Sequence, residues 1–245
     1  MLSTLPGGLL GGRYGAPPAR VVALHGWRRN HTDWDEVVSD MAALAPDLPG
    51  FGSAPAPDTA WGAADYAEAV MPLCSEGGPV VLIGHSFGGK VAVVLAATHP
   101  QHVAALILTG VPLLRPAGEP APRPALGHRV AKQLHRAGLL SDTRMEARRR
   151  RTGSDDYRAA TGIMRDVLVR SIAEVDDGRY RRALEAVRCP VEFVWGQHDT
   201  AAVPAVAEEA AALVPTSTLT VLPGVSHMTP NEAPDALRVA IRRHL

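Results

Sequence analysis

Cysteine, lysine and long apolar runs are what this sequence has least of. Among its 245 residues only Cys74 and Cys189 are cysteines. Two are too few for a disulfide-stapled scaffold or for a structural zinc site built on thiolates. Two buried free thiols are expected, in line with the packing habit of unpaired cysteine, with a single Cys74–Cys189 disulfide as the alternative. Lysine stands only at Lys90 and Lys132, and the abundance of Ala, Arg, Pro and Gly reflects a GC-rich coding sequence rather than a chemistry. No stretch approaches the roughly 18 consecutive apolar residues of a membrane span. The opening Met1 to Gly8 has neither the basic start nor the apolar core of a signal peptide, so a cytoplasmic chain is expected. A charge excess is also missing. Lys plus Arg and Asp plus Glu both number 25, which argues against a bulk nucleic-acid or membrane-surface binder.

What is present is an ordinary globular composition, 46% hydrophobic and 20% charged, on a chain long enough to bury a large core. Five short runs are apolar at consecutive positions, as strands buried on both faces must be. They are Arg20–Leu24, Val80–Ile83, Ala104–Leu108, Val191–Trp195 and Leu219–Leu222, with Ala43–Ala45 a weaker sixth. Helical spacing appears between them: over 33–44, with Trp34, Val37, Val38 and Met41 on one face; over 63–75; over 87–98, which is apolar all round; over 204–214; and over 231–245, with Leu237, Val239, Ala240 and Ile241 as its stripe. Strand alternating with helix predicts an α/β fold with a mainly parallel sheet. Residues 111–187 break the alternation. They begin with a proline-rich run and continue as arginine-rich helical sequence, a helical insertion between two strands. Between Arg123 and Arg188 there are 16 basic residues against 9 acidic ones, so overall neutrality conceals a basic piece on an acidic body.

The strongest local signal is Gly84-His85-Ser86-Phe87-Gly88-Gly89, which follows an apolar strand and opens an apolar helix. That is the setting of a nucleophile elbow, where Gly84 and Gly88 leave room for a turn tight enough to lift the Ser86 hydroxyl above the sheet. The Phe87 amide, at the helix start, faces developing negative charge there. His25-Gly26-Trp27 closes another strand. Gly26 allows a sharp turn, so the Trp27 amide is the second oxyanion donor, while His25 braces the loop through backbone hydrogen bonds. A serine needs a base, and the base needs an orienting acid. His227, in the loop after the last strand, is the base, since α/β folds place their sites at the carboxyl ends of strands. His198 is its main rival and is read as a rim residue. His31, His99, His102, His128, His135 and His244 are read as solvated. Asp199, just past the Val191–Trp195 strand, is the acid; its alternative role is that of a turn or N-cap aspartate.

These motifs, together with Asp47-Leu48-Pro49-Gly50-Phe51-Gly52-Ser53, Gly196-x-x-Asp199 and Gly224-x-x-His227, resemble the α/β-hydrolase fold superfamily over essentially the whole chain. The resemblance implies an eight-stranded, mostly parallel sheet flanked by helices, with a helical cap inserted after strand six. Residues 1–110 and 188–245 would form the core and 111–187 the cap. The Gly/Pro-rich start implies short or imperfect first strands. Serine at the elbow points to the ester-hydrolysing branch, and the Trp after His-Gly resembles carrier-protein methyl ester esterases, whose elbow commonly has another residue before the serine. The implied activity is cleavage of a small-molecule carboxylic ester through an acyl-enzyme, with Ser86, Asp199 and His227 catalytic and no metal or organic cofactor. Thioesterase, lactonase, carbon–carbon hydrolase and perhydrolase chemistry on the same three residues, or ligand binding without catalysis, stay open. Arg144 and Arg148 to Arg151 are read as a solvated face, or else as a patch for a substrate anion or an acidic carrier protein.

Overall fold

A strand covered by helices on both faces has no side that tolerates a polar residue, and this is why the central strands are runs of Val, Ile, Leu and Ala. The computed structural model describes residues 2–115, 141 and 155–245 and lays these runs side by side in one eight-stranded sheet. In chain order the strands are β1 (Leu2–Thr4), β2 (Leu10–Tyr14), β3 (Val21–Leu24), β4 (Ala43–Pro46), β5 (Val80–His85), β6 (Val103–Thr109), β7 (Val191–Gly196) and β8 (Ser217–Leu222). Their spatial order is β1-β2-β4-β3-β5-β6-β7-β8. β1 pairs antiparallel with β2 and β2 with β4, while every pair from β4 to β8 is parallel. This is the mostly parallel sheet that the resemblance implies, with the short first strands expected from the Gly/Pro-rich start.

The described helices are α1 (Asp35–Val38), α2 (Ala63–Val70), α3 (Phe87–Thr98), α4 (Asp155–Ala159), α5 (Gly162–Asp176), α6 (Arg179–Ala186), α7 (Pro204–Ala212), α8 (Thr229–Glu232) and α9 (Pro234–Arg242). Successive strand residues face opposite sides of the sheet. Leu24, Leu82, Leu108 and Trp195 therefore join one core with residues of α2, α3, α6 and α7. Ala23, Ile83, Ile107 and Val194 join the other, with residues of α1 and α9.

Several expected elements end earlier than their periodicity suggests. The helix over 33–44 is a 3₁₀ turn, His31–Trp34, followed by the short α1. Its expected tail is β4, because Ala43 and Leu44 pair with β3 on one side and β2 on the other. The expected apolar face is nonetheless buried. The helix over 63–75 stops at Val70 and continues as a 3₁₀ turn, because Pro72 lacks an amide hydrogen and clashes one turn back. Pro234 divides the last helix into α8 and α9 in the same way, and Val239 is 52% exposed, outside the buried stripe. β8 is an edge strand, and Thr220 and Val221 face solvent rather than lying buried. Cys74 is buried, but Cys189 is only half-buried; both are free.

No strand lies between β6 and β7 among the described residues. The prolines from 116 to 124, His128, Lys132, His135, Arg144 and Arg148 to Arg151 lie outside those residues, so the readings attached to them do too. The described helices α5 and α6 pack against α3. Tyr180, Leu184 and Val187 pack in the same apolar cluster as α3. Beneath them is a buried polar cluster. The Lys90 ammonium donates to the Ser171 hydroxyl at 3.2 Å and to its carbonyl at 3.3 Å, and stands 5.4 Å from the Tyr180 ring centre. One Glu174 oxygen accepts the Tyr180 hydroxyl at 2.8 Å and the Ala63 amide at 3.1 Å, bridging α5, α6 and α2.

Burial lowers the Lys90 pKa from its ordinary value to about 8, against a nearby Glu174 that raises it. Between about pH 8 and 10.5 the unfolded chain keeps a proton that the folded chain has lost, so the Lys90 contribution to stability rises with pH across that window. Urea unfolding of the wild type and of Lys90→Met isolates it. The stability difference should move toward the wild type by about 2 kcal/mol between pH 7.5 and 9.5. A difference that stays flat with pH would show that Lys90 titrates normally.

Candidate active site

β5 passes into α3 through one residue. Ser86 lies at φ 50° and ψ −115°, between His85 at the strand end and Phe87 at the helix start. Such a conformation costs about 1–3 kcal/mol and persists only where its surroundings enforce it. The Ser86 amide donates to the Thr109 carbonyl of β6 at 3.0 Å, and the Ser86 carbonyl accepts the Gly89 amide at 3.1 Å. The flanking glycines are required by contact. A Cβ on Gly84 would stand 2.5 Å from Gly89 Cα, and one on Gly88 would strike the carbonyls of Leu24 and His25. The turn after β3 thus packs on the elbow. A Cβ on Gly26 would lie 3.3 Å from Ser86 Cβ, so Gly26 runs directly beside the serine. The Trp27 and Phe87 amides have no hydrogen-bond partner among the described residues.

The three side chains singled out in the sequence meet at the carboxyl ends of β5, β7 and β8. His227 Nε2 is 3.2 Å from Ser86 Oγ, and His227 Nδ1 is 2.8 Å from Asp199 Oδ2. Asp199 is 2% exposed, and its other oxygen accepts the amides of Ala201 at 2.9 Å and Ala202 at 2.8 Å. Asp199 therefore closes a turn with one oxygen and holds the imidazole with the other. The histidine loop is fastened from outside by Glu232, which accepts the Ser226 amide at 2.7 Å and the Ser226 hydroxyl. Those bonds draw the Glu232 pKa down. Gly110 leaves space for the contact, since a Cβ there would lie 3.1 Å from His227 Nδ1.

His25 braces its loop as expected. The Leu48 amide donates to its Nε2 at 2.9 Å, which puts the proton on Nδ1, where it is donated to the Gly26 carbonyl at 2.8 Å. Asp47 closes the following loop by accepting the amides of His31 at 2.8 Å and Ser53 at 2.7 Å, and the His31 ring at 2.7 Å. Burial pushes this carboxyl up, but the hydrogen bonds outweigh it and hold the pKa below the usual range. Beside Trp27, a cavity of about 260 Å³ is lined by Arg28, Phe51, Met164 and the bare backbone of Gly50 and Gly52. Phe51 and Phe87 pack edge-on to the Trp27 ring at 4.8 and 5.4 Å between centres.

Other histidines depart from the sequence reading. His198 is exposed, as a rim residue should be. His31, His99, His102 and His244 are half-buried rather than solvated. Three of them face carboxylates, His31 at Asp47, His99 at Glu68 and His244 at Glu192. The sequence assigns His85 no role, yet it is 1% exposed and its Nε2 lies 2.9 Å from the His227 carbonyl. Its place next to the serine was the only available signal, and spacing gives no hint of a partner 142 positions away. Among the described residues no group of three or more His, Cys, Asp or Glu side chains is placed to hold a metal ion, and no helix is long and apolar enough to cross a membrane.

The family model described as "Alpha/beta hydrolase family" matches residues 21–240, and the chain belongs to that family. Lipase LipV of Mycobacterium tuberculosis is 41% identical over 106 residues, spanning 39% of each chain. The pimeloyl-[acyl-carrier protein] methyl ester esterase of Aromatoleum aromaticum is 30% identical over 223 residues, covering 81% of this chain and 87% of that one. A hydrolase from Pseudomonas aeruginosa PA01 has the same fold, with a TM-score of 0.70 at 21% identity over 100% of this chain and 97% of the other.

Burial lowers the pKa of His25 and His85 to about 4. As pH falls from about 6.5 toward 4, the unfolded chain takes up two protons that these residues refuse in the fold, so stability is lost through that window. His25→Gln should reduce the pH dependence of the unfolding free energy between pH 6 and 4.5 by about one proton, roughly 1.4 kcal/mol per pH unit. Equal slopes in variant and wild type would refute a neutral His25.

Proposed function

We propose that this protein is a serine hydrolase that cleaves carboxylic esters in two acyl-transfer steps. The contact chain from Ser86 through His227 to Asp199 carries this reading. His227 Nε2 takes the Ser86 proton as Oγ attacks the ester carbonyl, and Asp199 fixes the imidazole tautomer and stabilises the imidazolium. The Trp27 and Phe87 amides receive the oxyanion. Preorganised donors of this kind are each worth about 3–4 kcal/mol of barrier. The proton then passes from His227 to the departing alcohol. Water, deprotonated by the same imidazole, attacks the acyl carbonyl, and Ser86 Oγ leaves with that proton from His227 as the acid is released. Every step uses side chains and amides of this chain.

The cavity beside Trp27 is the proposed seat of the acyl or alcohol arm. We assign residues 111–187 as a cap whose last helix, α6, is anchored on α3. Two free thiols suit a reducing, cytoplasmic setting. A second reading of the substrate, an ester borne on an acidic carrier protein, is favoured by the name of the Aromatoleum aromaticum relative and by the 16-to-9 basic excess between residues 123 and 188. Salt separates the two. For a carrier-borne ester KM should rise several-fold between 50 and 300 mM salt, roughly one Debye screening regime to the next, while that of a neutral short ester stays level. If both respond alike, the carrier reading is lost.

The decisive experiment is Ser86→Ala, assayed with p-nitrophenyl acetate and a fluorophosphonate label. We expect kcat/KM to fall by at least about 10³-fold and labelling to vanish. Undiminished turnover in the variant would remove Ser86 from the reaction.

A further inference from the structure

His85 is the buried titratable group nearest the proposed chemistry that has no part in it. It closes β5, so its side chain direction is set by the same backbone that presents Ser86. Its ring centre lies 4.9 Å from that of His227, and its Nε2 is 2.9 Å from the His227 backbone carbonyl. A carbonyl can only accept, so Nε2 carries the proton and Nδ1 presents a bare lone pair. That Nδ1 has no hydrogen-bond partner among the described residues and lies against the third loop of the site. A Cβ on Gly26 would stand 2.8 Å from it. One imidazole thus touches the elbow by covalent attachment, the Gly26–Trp27 turn by packing and the His227 loop by hydrogen bond. On its outer side the same loop is held by Glu232 through Ser226, one residue earlier.

We infer that His85 is a positioning residue for the base. Its Nε2–H, donated to the His227 carbonyl, fixes the distance between the base loop and the serine elbow. The inference rests on the proposed role of Ser86 and His227. The reason it should matter is geometric. His227 must hold 3.2 Å to Ser86 Oγ and 2.8 Å to Asp199 at once, and its side chain has only two torsions with which to absorb a shift of its own backbone. Displacement of a reacting group by about 1 Å can cost about 100-fold in rate. Burial keeps His85 neutral through the pH range in which a base of this type works, so the donor persists.

The test compares His85→Phe, which keeps a ring and removes the donor, with His85→Gln and His85→Asn. The Gln amide reaches the position of Nε2 and the Asn amide falls short. Steady-state hydrolysis of p-nitrophenyl acetate is read alongside thermal melting. We expect kcat to fall roughly 10- to 100-fold in the Phe and Asn variants, with KM within about two-fold, and to recover to within about three-fold of the wild type in the Gln variant. If the Phe variant does not fold, the Gln–Asn contrast decides alone. A folded Phe variant with wild-type kcat, or Gln and Asn variants that fall equally, overturns the inference. If the wild type shows neither ester turnover nor Ser86-dependent fluorophosphonate labelling, the serine-hydrolase reading fails first, which is a separate result.

Discussion

One strained residue organises this molecule. Ser86 can hold its positive φ only because the neighbouring backbones come close enough to exclude every alternative, and they come that close only because Gly84, Gly88 and Gly26 carry no Cβ. The turn is shared property: β6 accepts its amide through Thr109, β3 packs on it through the carbonyls of Leu24 and His25, and α3 starts from it. A side chain at any of these glycines would separate the strand ends. The loops that carry His227, Asp199 and Trp27 would then lose their common reference. The parallel register from β3 to β8 supplies the rigid frame, because all these loops leave the sheet at the carboxyl ends of its strands.

The site was legible in the sequence to the extent that its geometry is local. The glycine spacing around Ser86 encodes the elbow, and Gly26 encodes the adjacent turn. The strands were legible because burial on both faces leaves an unmistakable apolar run. The failures have physical causes too. β8, with a single neighbour, carries only half-buried and exposed residues, but its Leu219-Thr220-Val221-Leu222 stretch reads as a buried run. The helix expected over 33–44 was extended into β4 because an amphipathic period does not register the pull of two flanking strands. Pro72 and Pro234 set helix limits that the apolar stripe alone passes over.

Histidines divide along the same line. Ten occur in the chain, and a sequence offers little to tell them apart beyond neighbours. His25 is readable as a brace because one of its partners, the Gly26 carbonyl, lies in its own motif; the other, the Leu48 amide, is 23 positions away. The pairs His31–Asp47, His99–Glu68 and His244–Glu192 join residues 16, 31 and 52 positions apart, which only the folded chain brings together. His85 belongs with these. Its hydrogen bond spans the sheet from β5 to the loop beyond β8, and no periodicity could have announced it.

The polar cluster under α5 and α6 connects the cavity to this framework. Met164, at the start of α5, leans over the bare backbone of Gly50 and closes one side of the cavity beside Trp27. The other end of the same helix carries Ser171 and Glu174, which engage Lys90 of α3 and the Ala63 amide of α2. A buried ammonium is an expensive anchor compared with an apolar side chain, and breaking one partner away from it costs more than replacing the pair. Such an anchor tolerates little sliding, because its partners must keep hydrogen-bond distance. It therefore fixes α5 along its length, and with it the position of Met164 relative to Trp27 and the serine. The helix that follows the elbow thus also holds the helix whose Met164 lines the cavity, so that the placement of the hydroxyl and one wall of the adjoining space share one anchor, α3.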